Sequence, residues 1–314
     1  MVNMRSFYMV LFLVVVMMAG LCGQSIGFPL KAIDDRNKEI EFSTRPLRIV
    51  SLAPTNTELL YALGLEQEIV GVTSYCDYPA AAKNKEKVGG FAKFDIDKIC
   101  ALKPDLILAF GTIQLPTVEA LEQRGQKVFW IYPHTMKDIL NSFERVGAIT
   151  GATQEARLLR VAVEKEMSAL QNMLGAIYAD KRPSIYRVMG FNPPATIGAV
   201  SFQTDIFNLA GGKNAFPDAG KDFFELDAQE LIKRDPDVIL VCGDDEKEWK
   251  QKLKDSPVYG KLTAVRKDAI LVIPCDLTCK PGPRVAELAR RIALYLYPAL
   301  KRSVMNKDAL SQTR

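Results

Sequence analysis

The chain is poor in the residues and motifs on which many common chemistries rest. It holds one histidine, His134, which excludes a catalytic or metal centre needing two imidazoles from one chain. No Gly-x-Gly-x-x-Gly follows a strand pattern, no Gly-x-x-x-x-Gly-Lys-Ser/Thr loop occurs, and no Gly-x-Ser-x-Gly elbow is present. The usual dinucleotide, nucleoside-triphosphate and hydrolase signatures are therefore missing. Neither charge sign dominates: 41 Lys and Arg face 37 Asp and Glu, a net +4, interleaved along the chain. Phosphate tracking needs a concentrated cationic face, so no nucleic acid is expected as a partner.

What remains is ordinary globular material. The 314 residues, 48% hydrophobic and 25% charged, suffice for two domain-sized cores and exclude collagen, coiled coil and bulk disorder. Residues Phe7 to Ala19 form an uncharged apolar run behind Arg5, followed by Gly20, Gly23, Ser25 and Gly27. The run is short for a spanning helix and reads as a signal peptide over 1–27, cleaved after Gly27, with a membrane-tethered form the lesser alternative. Leu21 before Cys22 departs from the small residue that lipid attachment prefers. Export places the remaining five cysteines where disulfides form, and an odd number leaves one unpaired within the chain. Cys275 pairs with either Cys279, close in sequence, or Cys242, which ends a strand pattern as Cys275 does. Cys100 reads as a small buried apolar residue. No metal site is expected, because Cys275 and Cys279 lack a second ligand pair at recognisable spacing.

Strand and helix patterns alternate along the chain, which argues for α/β lobes with parallel sheets. Behind a short polar lead-in over 28–45, turning at Asp34 to Asn37, comes a first lobe over 46–152. Thr55 and Asn56 are its candidate helix caps. From Thr153 to Asp180 no proline intervenes, and Leu158, Val161, Lys165, Leu170 and Leu174 recur at helical spacing. One linking helix over 153–181, about 25 residues or roughly 38 Å long, is predicted. A second lobe over 182–300 and a polar tail over 301–314 complete the chain. Asp95 to Gly111 is echoed by Asp227 to Gly243 at a constant offset of 132, each a helix, a Pro-Asp turn and a buried strand ending in glycine. Two copies of one lobe on either side of the long helix account for the echo.

Aromatic residues gather where strands end. Tyr75, Tyr78, Phe91, Phe94, Phe110, Phe223 and Phe224 occupy loops or strand ends, suited to an apolar cleft between lobes for a large, flat, poorly charged ligand. Asp244 and Asp245 read as a solvated acidic turn, and His134 as a loop residue without a role.

The motifs Arg48-Ile-Val-Ser51-Leu-Ala-Pro54-Thr-Asn56-Thr-Glu58-Leu-Leu-Tyr-Ala-Leu-Gly64 and Val70-Gly-Val-Thr-Ser74-Tyr75-Cys-Asp77-Tyr78-Pro79 carry a resemblance. So do Leu102-Lys-Pro-Asp-Leu-Ile, Gly190-Phe-Asn192-Pro-Pro194 and Pro281-Gly-Pro283-Arg284. In this order, over residues 46 to 300, the chain resembles the substrate-binding proteins of ABC importers for cobalamin and iron chelates, its cobalamin-binding members most of all. The resemblance implies two Rossmann-like lobes bridged by one rigid helix, as in class III periplasmic binding proteins. It implies a non-enzymatic, monomeric periplasmic receptor with no covalently bound cofactor, which hands a corrinoid to the permease subunits of an importer. Tyr75, Phe91, Phe110 and Phe223 match positions that present Tyr or Trp to the corrin, with Asn192 and Arg284 beside them. Ala195 stands where a Phe is usual, and the Trp expected near Leu277 is missing. These departures leave room for a ferric siderophore or heme, for which Lys93, Lys221 and Arg284 are the available cations. Permease docking falls to Asp97 in one lobe and to Glu230, next to Gln229, in the other. A cofactor-dependent α/β enzyme is the rival from another class, opposed by the missing phosphate loop and the single histidine.

Overall fold

The computed structural model describes residues 27–175 and 182–300. All but Gly27 of the expected signal peptide, the polar tail and residues 176–181 of the expected linking helix lie outside the described residues. The segment expected as a polar lead-in is a hairpin. Its strands β1 (Leu30–Ile33) and β2 (Glu39–Phe42) pair antiparallel. Alternation in Glu39-Ile40-Glu41-Phe42 turns Ile40 and Phe42 inward, and both are buried in the first lobe's core. The turn is held by Asp34, whose Oδ1 accepts from the Arg36 and Lys38 amides at 2.9 and 3.1 Å.

The first lobe then alternates β3 (Ile49–Ser51), α1 (Pro54–Ala62), β4 (Ile69–Val72), α2 (Ile96–Ala101), β5 (Leu106–Phe110), α3 (Leu115–Gln123), β6 (Val128–Ile131) and α4 (Met136–Thr150). Its four strands lie in the order β4-β3-β5-β6, all parallel. Helices on both faces bury Leu106, Ile107, Leu108 and Ala109 completely, which explains the unbroken apolar run. Thr55 and Asn56 do not cap α1. Thr55 Oγ1 donates to the Pro281 carbonyl at 3.0 Å in the second lobe, and Asn56 Nδ2 to the Ala109 carbonyl at 3.3 Å.

Helix α5 (Thr153–Leu174) follows, 22 residues long. Its buried positions are Ala156, Val163 and Leu170, seven residues apart, whereas Leu158 and Val161 are exposed. The inward stripe is set by the close approach of α4. A Cβ on Gly147 would lie 2.4 Å from the Ala156 Cβ, so only two small residues let the helices meet there.

The second lobe comprises β7 (Ser184–Arg187), β8 (Gly190–Phe191), β9 (Pro194–Ile197), α6 (Phe202–Leu209), β10 (Lys213–Asn214), β11 (Phe223–Glu225), α7 (Ala228–Arg234), β12 (Val238–Cys242), α8 (Glu246–Asp255), α9 (Thr263–Arg266), β13 (Ile270–Ile273), α10 (Cys275–Thr278) and α11 (Val285–Leu296). Its parallel sheet runs β10-β7-β12-β13, the same order as in the first lobe. A small antiparallel sheet, β11-β9-β8, is added, and it places Phe223 on a strand where a loop was expected.

The echo has a physical cause. Asp95 caps α2 by accepting from the Lys98 amide at 2.9 Å, and Asp227 caps α7 by accepting from the Gln229 amide at 2.6 Å. Lys103 and Asp235, one offset apart, both take left-handed φ values, of 47° and 40°. Asp105 then accepts from the Leu47 and Arg48 amides, both at 2.8 Å, while Asp237 accepts from the Ser184 amide at 2.8 Å. Each aspartate ties the entry of the neighbouring central strand. The largest buried cluster runs from Phe42 and Ile49 through Ala156, Val163 and Leu170 to Phe207 and Ile292, so α5 serves one core common to both lobes.

Candidate functional site

In both lobes the strand order reverses beside the first strand, and open α/β sheets bind ligands beyond the carboxyl ends of strands at such a point. A cavity of about 530 Å³ lies there. Small-molecule sites usually fall between about 300 and 1,000 Å³. One wall comes from the first lobe: Ala53, Pro54 and Thr55 after β3, Tyr75 and Asp77 after β4, the Phe91 loop, and Phe110 closing β5. The facing wall comes from the second lobe, with Asp244 after β12 and Cys275, Asp276, Cys279 and Lys280 after β13.

The aromatic wall is built, not incidental. Gly89 sits at φ 138°, and a Cβ there would lie 2.5 Å from the Lys93 carbonyl oxygen, so the loop carrying Phe91 folds tightly only with glycine. The Gly90 amide closes that loop by donating to the Lys93 carbonyl at 2.8 Å. Gln114, fully buried, is its anchor. Its Nε2 donates to the carbonyls of Leu52 and Phe91 at 2.7 and 3.1 Å, and its Oε1 accepts from the Phe110 amide at 2.9 Å. The Phe91 and Phe110 rings consequently meet with centroids 6.5 Å apart. Tyr75 stands free beside them, 63% exposed.

The cavity is acidic. Asp77, Asp244 and Asp276 face it against a single cation, Lys280, whose Nζ lies 3.0 Å from Glu58 Oε1 and 3.7 Å from Asp77 Oδ1. Arg284 is committed elsewhere. Its Nε and Nη2 each lie 2.8 Å from the Glu58 carboxylate, Nη2 reaches Asp276 Oδ2 at 2.9 Å, and the guanidinium stacks 4.0 Å from the Tyr78 ring centroid. Burial acts to lower the Arg284 pKa, but the bonds to Glu58 and Asp276 outweigh it and hold the group well above its ordinary value. Glu58 in α1 is buried, so Arg284 and Lys280 form an ion cluster between the lobes. Lys93 and Lys221 are not among the residues lining this cavity.

A smaller cavity of about 150 Å³ adjoins it, sharing Phe110 and Cys279. Phe223 lies here, beside Tyr132 and Met189, and not in the main cavity. Tyr132 bridges the lobes by donating its hydroxyl to Asp222 Oδ2 at 2.9 Å, and burial with that neighbouring carboxylate pushes its pKa up to about 12. Asn192 stands exposed between β8 and β9 and lines neither cavity. Ala195 and Leu277 are buried, only 2% and 3% exposed. His134 packs edge-on against Tyr132, centroids 4.3 Å apart, in a separate polar hollow with Asp35, Asp138 and Arg145. Asp245 caps α8 by accepting from the Glu248 amide at 2.9 Å, which leaves Asp244 alone facing the cleft.

Of the two bridges open to Cys275, the structure forms Cys242–Cys275, with Cα atoms 4.7 Å apart. Among the described residues Cys76, Cys100 and Cys279 are free, Cys100 half-buried against the first lobe's apolar residues. Asp97 and Glu230 lie in the first turns of α2 and α7. Each already meets an arginine of its own lobe, Asp97 with Arg124 and Glu230 with Arg234 at 2.8 Å.

Sequence reasoning missed Glu58 and Gln114. Glu58 lay inside a quoted motif with no role of its own, and its partners lie more than two hundred residues away. Gln114 carries no signal beyond being a polar residue between a strand and a helix.

The profile of the family described as "Periplasmic binding protein" matches residues 49–277. The uncharacterized ABC transporter substrate-binding lipoprotein YvrC of Bacillus subtilis is 29% identical over 276 residues, 86% of either chain. The vitamin B12-binding protein of Photorhabdus laumondii is 28% identical over 254 residues, 80% of this chain and 88% of that one. Among solved structures, a possible iron-binding periplasmic solute-binding protein of Staphylococcus epidermidis superposes with a TM-score of 0.71 at 26% identity, covering 81% of this chain and all of that one. The expected two-lobed α/β fold is the fold these relatives share. They are substrate-binding transport proteins, and the chain is likewise a binding protein of ABC importer type and not an enzyme. Matched over most of its length, the chain belongs to the periplasmic binding protein family.

Proposed function

We propose that the chain captures a corrinoid between its lobes and delivers it to an importer's permease subunits. The observation that carries this reading is the pairing of an aromatic wall, Tyr75, Phe91 and Phe110, with three carboxylates and one already paired lysine. A corrin offers a broad apolar face to the first and a rim of neutral amide N–H donors to the second. Heme propionates and carboxylate siderophores carry charge of the same sign as Asp77, Asp244 and Asp276, and desolvating like charges together is costly. Phe223 extends the apolar contact through the adjoining cavity. Arg284 supports the site indirectly, through the ion cluster, and Asn192 takes no part in the contact. A neutral ferric trihydroxamate is the second reading, favoured by the same acidic lining.

The receptor works as a periplasmic monomer after loss of its signal peptide, with a lipid-tethered form the alternative that the YvrC likeness raises. Asp97 and Glu230 would exchange their own arginines for those of the permease. Calorimetric titration of the mature protein with cyanocobalamin, a ferric trihydroxamate and hemin tests the ligand. Saturable one-to-one binding of cyanocobalamin, with hemin inert, supports the corrinoid. Binding of the hydroxamate alone moves the assignment to the second reading, and tight binding of hemin overturns the argument from charge.

A further inference from the structure

Three sulfurs and one arginine share the second-lobe wall of the cleft. Cys275 opens helix α10 and Cys279 follows its last residue, so the two stand one helical turn apart on the same side, facing Cys242 at the end of β12. Cys275 is bonded to Cys242, and the free, exposed Cys279 holds its Sγ 3.8 Å from Cys242 Sγ. Beneath them lies Arg187, 2% exposed. Among the described residues it has no carboxylate partner: Nη1 donates to the Val188 carbonyl at 2.5 Å, Nη2 to Cys279 Sγ at 3.5 Å, and Nε donates to nothing. Burial pushes its pKa down, the expected response of a guanidinium without a counter-charge. Deprotonation of Cys279 supplies that charge, and a thiolate is the nucleophile in disulfide exchange.

We propose that Cys279 exchanges with the Cys242–Cys275 bridge, so that the cleft wall carries two interchangeable disulfides. The Cys279 thiolate attacks Cys242 Sγ. The Cys242–Cys279 bond forms as Cys242–Cys275 breaks, and the electron pair leaves on Cys275 Sγ, which takes up the proton Cys279 gave away. One disulfide and one thiol exist before and after, so no oxidant or reductant is consumed. The cross-link steps one turn along α10, and the thiol presented to the cleft passes from Cys279 to Cys275.

The test is thiol trapping on the intact, non-reduced protein. Iodoacetamide is applied at several pH values under native conditions, followed by acid quench, digestion and fragmentation that places the label on Cys275 or Cys279. Label on both residues, with Cys242–Cys279 and Cys242–Cys275 peptides both recovered, is the expected result. Label confined to Cys279, with Cys242–Cys275 the only bridge at every pH, overturns the proposal. The Cys275→Ser variant, folded in the presence of oxidised glutathione as electron acceptor, is expected to form a Cys242–Cys279 disulfide and lose both alkylatable sulfurs. Should it stay folded with Cys242 and Cys279 both labelled, the exchange does not occur; should it fail to fold, the wild-type label pattern decides alone. Arg187→Met is expected to lose the Cys275 label at short trapping times, a kinetic readout that a purely structural arginine would not move.

Discussion

Residues at the cleft divide into those that touch a ligand and those that hold the touching residues still. Tyr75→Ala and Phe91→Ala are each expected to weaken cyanocobalamin binding roughly tenfold, or about 1.4 kcal/mol, in calorimetric titration. Asn192→Ala should leave the affinity unchanged, because that side chain lines neither cavity. Gln114→Leu acts differently. It strands the carbonyls of Leu52 and Phe91 and the Phe110 amide, so about 1–3 kcal/mol of stability should disappear in urea unfolding, together with ligand affinity. Tyr132 supplies a pH dependence. Its folded pKa of about 12 lies above the ordinary tyrosine value of about 10, so its contribution is complete below about pH 10 and lost as pH climbs through about 12. Urea titrations of wild type and Tyr132→Phe between those limits should converge as the phenol ionises. Little of this scale was legible beforehand: aromatics at strand ends announced a cleft, but which of them share it depends on backbone paths. Phe223 was drawn aside by the small antiparallel sheet, and Arg284 by a carboxylate from the other lobe.

At the scale of elements, alternating apolar runs made the parallel strands readable because sheets buried on both faces admit little else. The lead-in hairpin escaped notice because its two apolar residues are too few to stand out from a polar stretch. The stripe on α5 escaped for a related reason: packing against α4 selects small residues, Gly147 and Ala156, that periodicity of large side chains overlooks. Gly147→Ala should cost about 1–3 kcal/mol in chemical denaturation by forcing α4 away from α5. The echo was the most informative signal, and its aspartates are testable as a pair. Asp105→Ala and Asp237→Ala are each expected to lower stability by about 1 kcal/mol, since each releases exposed amides at a strand entry to water. A loss at one site only would break the equivalence of the two turns.

At the scale of the whole molecule, one core runs through both lobes and one ion cluster ties them on the cleft side. Glu58→Ala leaves Lys280 and Arg284 facing each other with fewer counter-charges, and a destabilisation of about 3 kcal/mol in calorimetric unfolding is expected. A change well below that would mean that Asp77 and Asp276 suffice to neutralise the pair. The two lobes repeat one strand order, yet the repeat ends differently at its tips. Where the first lobe closes its third strand with Phe110, the second closes the equivalent strand with Cys242. A doubled frame would by itself form a slot with interchangeable sides. Divergence at these strand ends and in the loops beyond them makes the two lips unlike, the first carrying Tyr75, Phe91 and Phe110 beside Asp77 and the second carrying Cys275, Cys279, Asp244 and Asp276, so that a ligand with two unlike faces is expected to enter in one orientation.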